Sequence, residues 1–311
     1  MSMSDRLSAR VECQDANYLV ETYEPKPSRD DSTGAPAPAS RGRAGRAESV
    51  IASLAEWERS LVADVGRVRL LSGRQLRRLH FKDNASGRRQ ARRVLASLVD
   101  KRVLARQGRS VGGVKGGSES FVFGLDVIGQ RLIDPLSQVG RPWQLGEGFV
   151  RHALMVSECY VSLVETERTG LLELLDFHGE PACWRQFVGR NGLLETLKPD
   201  AFSRLGLGEY EDRWLIECDR GTEDLARIRR KLGTYWRYWQ TGKEEPFPRV
   251  LWVTTRTERA KALQGVIATL PTLQRQLFAV CEASGFVGRV LAGAGDPASG
   301  WQQPIKGGGE L

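Results

Sequence analysis

The sequence predicts an α/β protein built as a winged helix followed by a larger α/β domain. Three observations lead there. Residues 48–125 read as three helices and then a two-stranded hairpin, the winged-helix order. The same stretch is strongly basic: between Asp64 and Lys115 there are 15 Lys or Arg against three acids, a surplus of 12 where the whole chain carries +8. From residue 148 onward, amphipathic helices alternate with short apolar strands, the pattern of a sheet with helices on its faces.

A chain of 311 residues with 41% hydrophobic content has room for two cores. The five cysteines show no Cys-x-x-Cys spacing, which excludes zinc fingers and a disulfide framework and predicts a reducing, cytoplasmic setting. No secretory leader or membrane-spanning run is present.

Taken in order, residues 1–47 are rich in Pro, Gly, Ser and Arg and predict a disordered tail. Residues 48–140 form the predicted winged helix. Val50, Ile51, Leu54, Trp57 and Leu61 recur at helical spacing, and Val68–Leu71 is a short strand. Ser72 caps a second helix, which carries Arg74. Ser86 caps a third, with Ala91, Val94, Leu95, Leu98 and Val99 as its inner stripe. Arg88, Arg89, Arg92 and Arg93 lie off that stripe, placed to meet phosphates or guanine edges in a major groove. The strands Val103–Gln107 and Ser120–Leu125 flank a glycine-rich tip, and Arg106, Arg109 and Lys115 put charge on this wing. Double-stranded DNA is the partner these features predict. Solvated basic faces and protein contacts of a winged helix are the alternatives.

Residues 148–292 form the second domain, and 293–311 are expected to be coil. A helix over 149–167 carries Glu158. Strands follow at 171–177 and 184–188, and Ala201–Leu205 pairs with Arg213–Asp219. Side chains alternate along a strand, so Glu217 and Asp219 share a face and Asp200 sits beside them. Thr222 caps the next helix, on which Ile228, Leu232, Tyr235, Trp236 and Trp239 form the core stripe and Lys231 shares a face with Tyr235. A strand at 250–254, a helix at 257–270 and a strand at 277–281 complete the order. Clustered carboxylates repel one another unless a cation joins them, and an all-oxygen set suits Mg²⁺ or Mn²⁺. Such a site fits phosphodiester cleavage by metal-activated water.

Pro199-Asp200 followed by Glu217-Cys218-Asp219 resembles the PD-(D/E)xK motif of restriction-endonuclease-like nucleases. The longer run from Lys198-Pro199-Asp200 through Ile216-Glu217-Cys218-Asp219-Arg220-Gly221-Thr222-Glu223 to Lys231-Leu232 and Tyr235 is similar to the bacterial replication-relaxation family. That family is linked to plasmid mobilisation and resembles MOBC-class relaxases, and the likeness extends from about Leu70 to the end of the chain. The resemblance implies a restriction-endonuclease-like second domain that nicks DNA at a plasmid or conjugative-element origin. It implies Asp200, Glu217 and Asp219 at the metal, with Glu158 as a fourth carboxylate from the preceding helix. Partner mobilisation or replication proteins, and a homodimer, are in keeping with it. The family fold commonly has Lys where this chain has Asp219, and Lys231 is the substitute nearest in sequence. DNA binding without cleavage, on a degenerate nuclease fold, is the competing function. His80, His152 and His178 are isolated, which excludes a histidine-clustered metal site, and there is no phosphate-binding G-x-x-x-x-G-K-[ST] loop and no G-x-S-x-G elbow.

Overall fold

The computed structural model describes residues 40–109, 121–135, 145–294 and 303–304. Helix α1 (Ser40–Ser53) begins inside the predicted tail, which therefore ends earlier than residue 47. In α2 (Glu56–Val68), Leu61, Val62, Val65 and Val68 are buried at helical spacing. That stripe carries the helix through Val68, so the strand predicted at Val68–Leu71 is reduced to β1 (Leu71–Ser72).

Ser72 caps α3 (Gly73–His80): its hydroxyl accepts from the Gln75 amide at 3.2 Å, and the Gln75 side chain accepts from the Ser72 amide at 2.9 Å. Helix α4 (Ala85–Asp100) is capped by Asn84, whose Oδ1 accepts from the Gly87 amide at 2.8 Å. This corrects the expected Ser86 cap, because the helix starts one residue before it. Strands β2 (Leu104–Arg109) and β3 (Phe121–Leu125) pair antiparallel, and β1 adds to the other edge of β3. The glycine-rich tip lies outside the described residues. Helix α5 (Val127–Ile133) follows.

The chain continues through α6 (Glu147–Arg168), β4 (Glu173–Gly179), β5 (Arg185–Val188), β6 (Leu194–Leu197), β7 (Ala201–Leu207), β8 (Tyr210–Asp219), α7 (Leu225–Trp239), β9 (Arg249–Thr254), α8 (Thr257–Ala268), α9 (Thr272–Arg275), β10 (Phe278–Glu282) and α10 (Phe286–Ala294). Five of the strands run in the order β4-β7-β8-β9-β10. Strand β7 is antiparallel to both neighbours, while β8, β9 and β10 are parallel. Strand β6, absent from the sequence-based expectation, pairs with β5 as a separate hairpin. A short β11 (Gln303–Pro304) pairs with the start of β8, inside the predicted C-terminal coil. Asp224, not Thr222, caps α7, its Oδ1 accepting from the Arg227 amide at 2.6 Å.

Alternation along β8 divides its side chains between two cores. Trp214, Ile216 and Cys218 join Leu251 and Val253 on one face, in a cluster that also holds Leu61, Leu76, Leu98 and Leu163. Leu215 joins Phe202, Val250 and Trp252 on the other, under Ile228, Leu232 and Tyr235 of α7 and Leu263 of α8. Each fully buried aliphatic side chain contributes roughly 1.5–3 kcal/mol. The first cluster spans both of the predicted domains, and residues 44–311 form one compact unit. The approach of α2 to β4 is close: a Cβ on Gly179 would lie 2.6 Å from the Arg67 carbonyl oxygen. The described cysteines Cys159, Cys183, Cys218 and Cys281 are free thiols. Among the described residues no helix is long and apolar enough to cross a membrane.

Candidate functional site

The β7–β8 hairpin creates the site. Its register sets Ala201 opposite Ile216, and the Asp200 amide donates to the Ile216 carbonyl at 3.0 Å. This brings Asp200 to the end of the strand that carries Glu217. Its Oδ2 accepts from the Cys218 amide at 2.7 Å, so the Asp200 carboxylate is fixed by the backbone beside Glu217. Its Oδ1 lies 3.2 Å from Nε2 of His152, near the start of α6.

Glu217 is 1% exposed and points toward α7. Lys231 places its Nζ 2.5 Å from Oε2, and the Tyr235 hydroxyl donates to Oε1. The four-residue spacing of Lys231 and Tyr235 makes this two-sided grip possible. Burial pushes the Glu217 carboxyl up to about 8, against the pull of Lys231. For Lys231, burial opposes the charge but the Glu217 and Asp200 carboxylates outweigh it, so the ammonium is held charged. Burial and then Asp200 raise the Glu180 carboxyl, and the hydrogen bond to Asp200 raises His152. Arg69, from the turn after α2, reaches Glu180 with its Nη1 at 3.3 Å.

Asp200, Glu217 and Lys231 are therefore together. Two other predicted ligands are not. Asp219 shares the face of Glu217, but its Oδ2 is paired with Nε of Arg259 on α8 at 2.6 Å and its Oδ1 accepts from the Gly221 amide. Glu158 is turned toward α3, where Arg78 and Gln75 bind its two oxygens. It lines an open recess of about 270 Å³ with Ser72, Arg74, Gln75, Arg78 and Leu154. The four-carboxylate set expected from sequence does not assemble, because two of its members have arginine partners of their own. Among the described residues no group of three or more His, Cys, Asp or Glu side chains is arranged to hold a metal ion. The Asp200–Glu217 pair still offers hard oxygens. Mg²⁺ is commonly held by one or two carboxylates with water and phosphate completing its shell.

Of the predicted DNA-contacting residues, Arg74, Arg88, Arg89, Arg92, Arg93 and Arg106 are exposed. The buried side of α4 is Gly87, Ala91, Leu95 and Leu98, so its arginines occupy the open side. Arg106 lies over the Phe121 ring, 4.4 Å from its centre. The side chain of Arg109, and Lys115 altogether, lie outside the described residues.

Residues 62–250 match the family described as replication-relaxation. The chain belongs to the replication-relaxation family. The matched span runs from α2 into the start of β9, so it includes α4, Asp200, Glu217 and Lys231 and leaves Arg259 outside. Membership points to a role in replication or relaxation. No curated protein and no solved structure matches the chain.

Sequence reasoning missed His152 and Glu180 in this replication-relaxation protein. In the sequence His152 is isolated, and Glu180 lies in a Gly-Glu-Pro turn. Only the β4–β7 pairing, with Gly179 opposite Ala201, shows that this turn lies beside Asp200. Tyr235 is more than a core residue, and its bond can be tested alone. Tyr235→Phe is expected to lower unfolding free energy by about 1.5–3 kcal/mol, the scale of a hydrogen bond to a charged group. Urea titration with an unchanged slope checks it, and a loss below about 0.5 kcal/mol would show that the hydroxyl does not hold Glu217.

Proposed function

We propose that this replication-relaxation protein binds duplex DNA at a plasmid or mobile-element origin and nicks one strand by phosphodiester hydrolysis. The observation that carries the reading is the convergence of Asp200, Glu217 and Lys231 at the end of one hairpin. The strand order, with only β7 reversed among the five, and Pro199-Asp200 ahead of β7 support a restriction-endonuclease-like domain. The order α2-α3-α4-β2-β3, with arginines on the open side of α4, supports a winged helix on DNA.

Asp200 and Glu217 would hold Mg²⁺ or Mn²⁺, which when bound supplies the acidity that activates water and offsets phosphate charge. Lys231 pulls Glu217 toward its ionised form and, with its side chain 27% exposed, presents an ammonium to the phosphate as negative charge gathers there. Tyr235 and the Cys218 amide hold the two carboxylates in place. A second reading has its own observation. Asp219 stands where related nucleases commonly have Lys, and it is tied to Arg259, as suits a fold that holds DNA without cutting it.

Supercoiled plasmid carrying the cognate origin, incubated with Mg²⁺ or Mn²⁺, is expected to yield open circles. Retained binding with no open circles in either metal assigns the protein to the second reading. Independently of turnover, millimolar Mn²⁺ is expected to raise the Tm of the wild type, and Asp200→Asn to lose most of that rise, since a ligand of the native state stabilises it. An equal rise in both proteins would place the ion elsewhere.

A further inference from the structure

The chain leaves the site at Glu180 and returns to it at Asp200, and between them it forms the β5–β6 hairpin. The base of this hairpin is tightly held. Phe187 and Leu197 are buried, with Phe187 packed on Tyr238 at 5.4 Å between ring centres. The Cys183 thiol donates to the Pro199 carbonyl at 3.0 Å. Arg185 pairs with Glu244 at 3.2 Å and Arg237 with Glu195 at 2.7 Å.

The far end is different. Val188 and Leu194 are cross-strand partners, 56% and 66% exposed, and Leu193 beside them is 66% exposed. The loop between them is closed by Gly189 donating to the Leu193 carbonyl at 2.8 Å, with Gly192 in the left-handed region at φ 73°. A rigid stem thus holds three aliphatic side chains in water. Adjoining exposed aliphatics of this kind mark an interaction surface.

The charge around the hairpin indicates what that surface meets. Glu195 and Glu244 are each neutralised by an arginine, whereas Arg190, Lys198 and Lys243 are exposed cations, against one exposed acid, Glu245. Arg190 leans on the Gln240 side chain and Lys198 on the Trp184 ring, contacts that leave their charge uncancelled. An aliphatic tip with a cationic rim complements DNA, whose phosphates meet the rim while apolar wedges part a base step.

We propose that the β5–β6 hairpin is a wedge whose tip, Val188, Leu193 and Leu194, enters the base stack, so that the preferred substrate is DNA with a mismatched or unpaired step. This rests on the reading that the protein binds DNA. It adds a preference that neither nicking nor arginine contacts to phosphate would produce. Unstacking costs least where pairing is already lost, so a mismatched step is where such a wedge gains most.

The experiment uses the full chain, a synthetic duplex, and the same duplex carrying a short mismatched bubble with 2-aminopurine inside it. The wild type is expected to bind the bubble tighter by roughly tenfold or more, because the unstacking cost is spared there, and to raise the 2-aminopurine fluorescence. The triple variant Val188→Ser, Leu193→Ser, Leu194→Ser is expected to bind both duplexes as the wild type binds the perfect one, without the fluorescence rise. Equal wild-type binding to the two duplexes with no fluorescence change overturns the wedge while leaving DNA binding intact. Binding to neither duplex overturns the DNA reading and the wedge with it. A bubble preference that survives in the triple variant removes the tip from the role. Wild-type self-association that the variant lacks, with DNA binding unchanged, makes the tip a protein interface instead. The wild-type comparison holds whether or not the variant folds.

Discussion

Lys231→Met is expected to lower the nicking rate by about 10²-fold or more while duplex binding persists, the scale of losing one preorganised charge at a transition state. The reason is the double duty of the ammonium. It sits 2.5 Å from Glu217 Oε2 and pulls this buried carboxyl toward its ionised form. It also remains partly exposed, on the side where a phosphate would approach. Removing one member of a buried pair costs about 3–5 kcal/mol when the other stays charged. Here burial already pushes the Glu217 carboxyl up against the pull of Lys231, so without that pull Glu217 stays protonated and the stability loss is smaller. The same proton blocks Glu217 from holding a cation. Rate and stability should therefore separate, with a large loss of open-circle product and a modest loss in Tm. Nicking that survives the change would clear Lys231 of the role.

Replacing Arg88, Arg92 and Arg93 together with Ala is expected to weaken duplex binding by roughly two orders of magnitude at moderate salt. The slope of log K against log salt should shrink by about one per charge removed. All three side chains are exposed on α4, opposite its buried Ala91, Leu95 and Leu98, and none makes an ion pair among the described residues. Their removal therefore leaves no buried partner unsatisfied, and the fold should persist by circular dichroism. Unchanged affinity and slope in a folded variant would take α4 out of the DNA-binding surface. Because α4 and Lys231 belong to different elements of one compact unit, the two variants should fail in opposite ways. One binds without cutting, and the other cuts only where binding is forced by concentration.

Features that repeat at short range are legible in the chain alone. The two-residue alternation of β8 placed Glu217 and Asp219 on one face, and their burial on the side of α7 and α8 agrees. The helical spacing of Ala91, Leu95 and Leu98 set which side of α4 is buried. The four-residue step from Lys231 to Tyr235 put both on the side that meets Glu217.

Which charges find each other follows from the assembled fold instead. Alternation says that Glu217 and Asp219 point the same way. It does not say that one meets Lys231 and the other Arg259, whose helices lie 14 and 40 positions away. Glu158 is a helical glutamate to the sequence, and its fate was settled by Arg78, 80 positions earlier, on a helix that packs across α6. His152 and Glu180 reach Asp200 through the packing of α6 and the β4–β7 pairing, neither of which leaves a periodic mark. Periodicity is written by a segment's own geometry, whereas a buried carboxylate takes whichever cation the assembled chain brings within reach, and that choice is made by contacts far apart in sequence.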